Sequence, residues 1–252
     1  LYAPDASQAP WRLEVPVVRY QTVFFDSGGT LYSMGPPQAG PSREQVGRGA
    51  ADRVSLALRG YSADVPAGAI RQIVESIEDG LKAGSGPAYS YGVLMAALLE
   101  ELNLDLGNEV AACLADAWCG PRYRAWLFPR TAETIAALHE AGVFLGIIAN
   151  TYWPGFAMDR QLAGVGLLRL FPVRIYSCDV GIEKPDPAIF RLAETITGRR
   201  EGILYVGDSV HHDIGGAHAA GWAAAHRYSD RPCPRAEHAF RHSEELLDII
   251  LG

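Results

Sequence analysis

Lysine is nearly absent from this chain. Its 252 residues include only Lys82 and Lys184, against twenty arginines, so each lysine is a position to examine for chemistry. Cysteine is scarce as well: Cys113, Cys119, Cys178 and Cys233 form no CxxC pair and adjoin no histidine cluster. This excludes a zinc ribbon and suits free thiols in a reducing compartment. No apolar run approaches the roughly 18 residues that a membrane helix needs, so no membrane partner is expected. Positive charge is short too. A net charge of -7 with no basic stripe argues against nucleic acid as a partner. The first residues, LYAPDASQAPW, lack the charged-then-apolar order of a secretion signal, and a cytoplasmic protein is expected. Residues 1–18 read as a loosely held N-terminal arm.

What is present has a clear rhythm. QTVFFD (21–26) is short, β-branched and aromatic, and a glycine pair follows at once: a buried strand ending in a carboxylate. SMGPPQAGP (33–41) is loop by composition. From about 42 to 126 apolar residues recur at three- and four-residue spacing, as in SYGVLMAALLEEL and NEVAACLADAWCGPRYRAW, and strand-like runs are scarce. Alternation then sets in. RTAETIAALHEAG (130–142) predicts a helix closed by Gly142, and VFLGIIAN (143–150) and PVRIYSC (172–178) predict strands. DPAIFRLAETI (186–196) predicts a helix with Asp186 as N-cap and Pro187 in the first turn. GILYVGD (202–208) predicts a strand, HDIGGAHAAG (212–221) a helix, WAAAHRY (222–228) a strand, and 243–250 a last helix.

Strand and helix in alternation mean an α/β fold, a Rossmann-like doubly wound parallel sheet. The helical block interrupts it after the first strand. The expected organisation is a core of residues 19–36 and 127–252 with an inserted α-helical cap over 37–126. In such a sheet the C-terminal strand tips share one edge, where ligands bind. Asp26, Asn150 with Thr151, and Asp208 therefore converge, and the loop carrying Lys184 opens on the same edge.

These residues resemble the haloacid dehalogenase-like hydrolase superfamily, in the branch with a helical cap after the first strand. The family's Asp-x-Asp-Gly-Thr-Leu stands here as Asp26-Ser27-Gly28-Gly29-Thr30-Leu31. Its strand ending in Ser or Thr and Asn ends here Ala149-Asn150. Its lysine before Pro-Asp-Pro is Lys184-Pro185-Asp186-Pro187, and its Gly-Asp with a later Asp is Gly207-Asp208 with Asp213. All four motifs occur in order and cover nearly the whole chain beyond the arm.

The resemblance implies a Mg²⁺-dependent hydrolase of a phosphate ester or anhydride in a small phosphorylated metabolite. Asp26 would attack phosphorus and carry an aspartyl-phosphate intermediate. Mg²⁺, taken up by few carboxylates plus waters, would offset the anionic repulsion. Asp26 and Asp208 are its natural ligands. By the resemblance the backbone carbonyl of Gly28 also binds it, and Asp213 holds a metal-bound water or orients Asp208. Lys184 would offer a second positive charge to the phosphoryl oxygens and keep Asp26 ionised. Backbone N–H groups of Gly28 and Gly29 can approach a phosphate because no Cβ obstructs them. Asn150 and Thr151 are further phosphate-binding candidates. Thr30 touches either the phosphate or its own loop.

Two departures stand out. The family's phosphatases have a second Asp where this chain has Gly28; that Asp protonates the leaving alcohol and then activates water. Such help is worth typically ~10²–10⁴-fold, so alkyl phosphates should be poor substrates here. Ala149 likewise replaces a hydroxyl. Three alternatives follow. The family's 2-haloacid dehalogenases also lack the second Asp, but use no Mg²⁺, and Asp208 with Asp213 argue against them. Phosphonoacetaldehyde hydrolases use a cap lysine as a Schiff base, whereas Lys82 in EDGLKAG reads as a solvated last-turn lysine. A catalytically weakened phospho-ligand-binding protein is the third. His211 and His212 can shuttle protons or face solvent, and Trp118, Tyr123 and Trp126 can pack or meet substrate.

Overall fold

The computed structural model describes residues 18–33, 43–61, 63–83, 90–120 and 126–252. The expected arm before Val18, the loop after Ser33, Tyr123 and the side chain of Lys82 lie outside the described residues.

Six parallel strands form one sheet: β1 Thr22–Phe25, β2 Phe144–Ala149, β3 Val173–Tyr176, β4 Ile203–Gly207, β5 Ala223–Arg227 and β6 His238–Phe240. Their order is β3-β2-β1-β4-β5-β6. The chain winds outward from β1 through β2 to β3, then returns to lay β4 against the other side of β1. The crevice between the tips of β1 and β4 is thus the switch point at which such sheets bind ligands. All four residues of β1 are buried, as a central strand covered on both faces requires. Phe24 faces one apolar cluster with Ile189, Phe190 and Ala217. Val23 and Phe25 face another with Ile135, Leu138, Met158 and Ile250. Gly146 is the register partner of Phe24, and the Phe24 ring fills the space a Cβ there would need.

The flanking helices are α5 Thr131–Glu140, α6 Gly155–Gly164, α7 Ser177–Val180, α8 Pro187–Thr197, α9 Gly216–Ala220 and α10 Glu245–Leu251. Asp186 caps α8, its Oδ1 accepting from the Ala188 N–H at 2.8 Å, with Pro187 at the first position. Between β1 and α5 lie the four inserted helices: α1 Arg43–Arg59, α2 Ala67–Ala83, α3 Tyr91–Glu101 and α4 Gly107–Cys119. They pack on one another around Val54, Leu58, Ile70, Leu94, Leu98 and Leu114, a cluster separate from the two under the sheet. Helix α4 stops at Gly120, φ +60, short of the Trp126 that the apolar spacing suggested. The Arg53 guanidinium fills the space beside Gly120 and donates to the carbonyls of Ala117 at 2.6 Å and Trp118 at 2.9 Å. A cation at the carbonyl end satisfies the last turn.

The two chain segments joining this block to the sheet run side by side. Tyr32 bridges Leu127, and the Ser33 N–H donates to Trp126 at 2.8 Å. An Arg160–Asp116 ion pair at 2.7 Å and the Tyr91 N–H to the Tyr152 carbonyl at 2.8 Å add contacts between α4, α3 and the sheet side. Spacing did not reveal β6, α6 or α7. β6 has three residues and α7 four, too few for a period to register. The expected helix over 212–221 begins as a wide-turned π-type segment, Val210–Gly215, before α9. Among the described residues no helix is long and apolar enough to cross a membrane.

Candidate active site

Asp26 follows β1 directly, and its N–H donates to the Val206 carbonyl at 2.8 Å. Phe25 is in register with Val206 on β4, so Asp26 and Asp208 leave the sheet side by side at the switch point. Asp213 approaches from the π-type segment. There a Cβ on Gly207 would overlap its carboxyl, so the glycine makes the approach possible. Each of the three carboxylates offers an oxygen, and these oxygens lie within 4.8 Å of one another.

Lys184 is buried at the centre, 2% exposed. Its Nζ donates at 2.7 Å to Asp26 Oδ1, to Asp213 Oδ1 and to the Tyr205 hydroxyl. An ammonium has three N–H bonds, and all three are spent. Lys184 therefore differs from expectation in one respect. It orients and balances Asp26, and none of its N–H bonds is left over for a phosphoryl oxygen. Asn150 fixes its backbone from both sides: Nδ2 donates to the Lys184 carbonyl and Oδ1 accepts from its N–H, each at 2.8 Å. The Asn150 side chain, a phosphate-binding candidate by its place at the strand tip, thus positions the lysine loop.

The charge balance is unfavourable as it stands. Burial, opposed by Lys184 and reinforced by Asp213 and Asp208, pushes the Asp26 carboxyl up to about 7. Burial also raises Asp208, with Asp213 next, although its carboxyl faces outward. Burial alone works to strip Lys184 of its proton, but Asp26 and Asp213 outweigh it and hold the ammonium charged. Three carboxyls crowd one buried ammonium, with the Arg227 charge acting on Asp208 besides. An oxygen-only donor set, few in number and with excess negative charge, is the kind that a hard divalent ion such as Mg²⁺ takes. The residues fit that ion. Both Asp213 oxygens are held closely, by Lys184 at 2.7 Å and by the Ser209 N–H at 2.8 Å, whereas Asp26 Oδ2 has only a 3.3 Å contact from Thr30, so Asp26 and Asp208 are the better placed pair.

The glycine loop divides its work. Gly28 lines the cavity beside Asp26. The Gly29 N–H, expected to approach a phosphate, is instead taken by the Tyr32 carbonyl at 2.7 Å. The residue's φ is +85, and a Cβ would overlap the Asp208 carboxylate. Gly29 makes room for that carboxylate in a backbone conformation side chains disfavour. Gly29→Ala is expected to weaken Mg²⁺ binding ~10–100-fold, as displaced supporting groups do, while costing ~1–3 kcal/mol in strain. Mg²⁺ titration calorimetry beside a melting curve checks both. Thr30 Oγ1 sits 3.3 Å from Asp26 Oδ2, a contact to the carboxylate itself. The Thr151 hydroxyl turns back to accept from the Trp153 N–H at 3.0 Å, while its own N–H donates to Ser177 Oγ at 3.0 Å.

Several supporting residues escaped the sequence reading. Tyr205 donates to the Ile148 carbonyl at 2.6 Å while accepting from Lys184. Its signal was a lone hydroxyl inside the apolar run ILYVG, since a buried phenol needs a partner. Arg227 donates to the Gly29 carbonyl at 3.2 Å and stacks 3.5 Å over Phe128, bracing the glycine loop. His226 accepts from the Cys233 N–H at 2.9 Å, which leaves its other ring nitrogen to donate to the Asp208 carbonyl at 3.1 Å. Nothing in the local sequence marked Arg227 or His226. His212 lines the cavity from an exposed position, with Ser209 Oγ 3.1 Å from its Nδ1. Trp118 packs near Tyr91, ring centres 6.5 Å apart, in the helical block.

A cavity of about 590 Å³ opens over Asp26 and Gly28 and reaches the helical block at Tyr91. A family model described as a haloacid dehalogenase-like hydrolase matches residues 20–221. Among curated relatives, phosphoserine phosphatase of Thermus thermophilus is 35% identical over 114 residues; this chain covers 45% of that relative's length. Phosphoglycolate phosphatase of Salmonella typhi is 28% identical over 212 residues, 79% of this chain and 77% of the relative. A 2-haloacid dehalogenase structure from Pseudomonas syringae pv. Tomato aligns at TM-score 0.62 and 22% identity, covering 91% of this chain and 97% of that one. A phosphatase structure from Thermococcus onnurineus aligns at 0.57 and 24%, with the same coverages. At such identity the two structures speak to fold alone.

Proposed function

The chain belongs to the haloacid dehalogenase-like hydrolase family, and from that premise we propose that it is a Mg²⁺-dependent phosphatase of small phosphorylated metabolites with Asp26 as nucleophile. One observation carries this reading: the three carboxylates gathered within 4.8 Å at the switch point around a buried lysine. A metal-independent dehalogenase has no use for that excess of acid. The named relatives, a phosphoserine and a phosphoglycolate phosphatase, support the substrate class.

Asp26 and Asp208, with the Gly28 carbonyl, would hold the ion, and Asp213 would act on it through water. Bound there, Mg²⁺ supplies positive charge to the phosphoryl oxygens and lowers the cost of anionic attack. The protein's own part begins with Lys184, which opposes the effect of burial on Asp26 and holds its Oδ1, leaving Oδ2, with only a 3.3 Å contact from Thr30, as the oxygen to attack. Asp26 attacks phosphorus, the ester oxygen departs, and an aspartyl phosphate remains for water to hydrolyse. Asn150, Tyr205 and Asp213 hold Lys184 rigid, so the charge is in place before substrate arrives. We read residues 37–126 as a cap on a core of 19–36 and 127–252. Tyr91 and Trp126 lie where closure would exclude water and sort substrates.

Beryllium fluoride with Mg²⁺ should bind at Asp26 and raise the melting temperature, and Asp26→Asn should abolish the gain. No gain in the unmodified protein would sink the reading. The missing acid gives a further expectation. Gly28 lacks the left-handed backbone of Gly29, so an Asp fits its conformation. Gly28→Asp should raise kcat on alkyl phosphates by ~10²-fold or more, read in a release assay for inorganic phosphate.

A further inference from the structure

We propose that the substrates are small aryl monophosphates, esters whose leaving group is a phenol. This rests on the phosphatase reading above and narrows it. Two independent features meet in one cavity. The first is its wall: Tyr32, Tyr91, Trp126, Tyr152, Trp153 and Met158 surround the space in front of Asp26. At about 590 Å³ it has the size of a site for a ligand of one or two rings. Aromatic faces and a thioether favour an aromatic guest through stacking and sulfur–ring contact.

The second feature is Gly28, which lines the cavity beside Asp26 at the position of the family's second carboxyl, while Glu183 and His212 line the same cavity. Without a carboxyl at that position the leaving oxygen carries more of the negative charge, which favours an acidic leaving group. A phenol has a pKa of about 10, whereas an alkanol lies near the ~15.7 of water. Of the two, the aryl oxide leaves far more readily unaided. A wall that selects rings and a floor that favours an acidic leaving group point to the same ester.

The step balances without a co-reactant. An Asp26 oxygen bonds to phosphorus, the bond from phosphorus to the aryl oxygen breaks, and its electron pair leaves on that oxygen. The phenolate takes a proton from solvent. Water then attacks the phosphorus, the bond to Asp26 breaks, and the carboxylate is restored. Both protons of that water leave with the phosphate, which returns one to solvent.

The experiment compares phenyl phosphate, benzyl phosphate, 2-phosphoglycolate and acetyl phosphate, each with Mg²⁺. Benzyl phosphate keeps the ring but has an alkyl leaving oxygen, so it separates recognition from leaving-group acidity. Phenyl phosphate should exceed benzyl phosphate in kcat/KM, which reports the step that releases the leaving group, by ~10²-fold or more, and both should show lower KM than 2-phosphoglycolate. Tyr152 is 49% exposed, so its removal hollows no core. Tyr152→Ala, and Tyr152→Leu as a milder variant, should raise the KM for phenyl phosphate by ~10-fold. Equal kcat/KM for the phenyl and benzyl esters, or an unmoved KM in both variants, overturns the aryl assignment while acetyl phosphate turnover keeps the phosphatase reading standing. Failure on acetyl phosphate, with no beryllium fluoride effect, removes both together.

Discussion

Asp26→Asn leaves no measurable phosphate release, a loss on the order of 10⁴-fold or more, as expected when the group that forms the covalent bond is removed. The fold survives, and the metal-free protein becomes more stable above neutral pH. The reason is electrostatic. In the folded chain the Asp26 carboxyl keeps its proton up to about 7, against an ordinary value of 3.8. Between those values the folded state binds the extra proton. Stability from this group is therefore complete below 3.8 and falls as pH rises through about 7. A neutral amide escapes that loss. The gain in Tm should grow from pH 4 to pH 7 and then level at several degrees, since about 1 kcal/mol moves a domain of this size by ~2–4 °C. Mg²⁺ reverses the ranking, raising the Tm of the unmodified protein and not that of the variant. Calorimetric melts over this pH range, with and without Mg²⁺, check both signs. A variant that is less stable at pH 8 without metal would overturn the charge-excess account.

Lys184→Met is expected to cost both stability and rate. The ammonium is shared by Asp26, Asp213 and Tyr205 at 2.7 Å each. Methionine keeps most of the volume and leaves two buried carboxylates uncompensated. Breaking a buried pair from one side costs ~3–5 kcal/mol, a fall in Tm of roughly 10 °C. With the positive charge gone, kcat should fall by ~10²–10³-fold. The structure also sets which second change helps. Asp213→Asn removes one of the stranded carboxylates, so Lys184→Met with Asp213→Asn should melt higher than Lys184→Met alone. A double-mutant cycle should show favourable coupling of ~1–3 kcal/mol between residues that share a partner. Additive losses would mean that the lysine and Asp213 act separately.

How much of this was legible depended on the reach of each signal. β1, β2 and β4 were located to within a residue or two as apolar runs ending in polar residues or glycine, and α8 by its Asp-Pro start and apolar spacing. β6 and α7 were too short to show a pattern. Asp26, Lys184, Asp208 and Asp213 stood out through their motifs, and the strand-tip rule brought them to one edge. The commitments of their hydrogen bonds were not readable. The full occupation of the Lys184 ammonium, the Gly29 N–H turned to Tyr32 and the Asn150 grip on the lysine loop each join residues distant in sequence or depend on a backbone turn. Arg227 lies 198 residues from Gly29, whose carbonyl it holds.

The alternation of strand and helix around a helical block, the family and the glycine at position 28 were determined by the sequence alone, because each is a local pattern or a residue's identity. Tertiary structure decided that three acids crowd one lysine, that Tyr205 shares it, and that a ring-lined cavity stands over Asp26. Charge balance and cavity shape are sums over residues far apart in the chain, and only the folded arrangement sets the distances on which those sums depend.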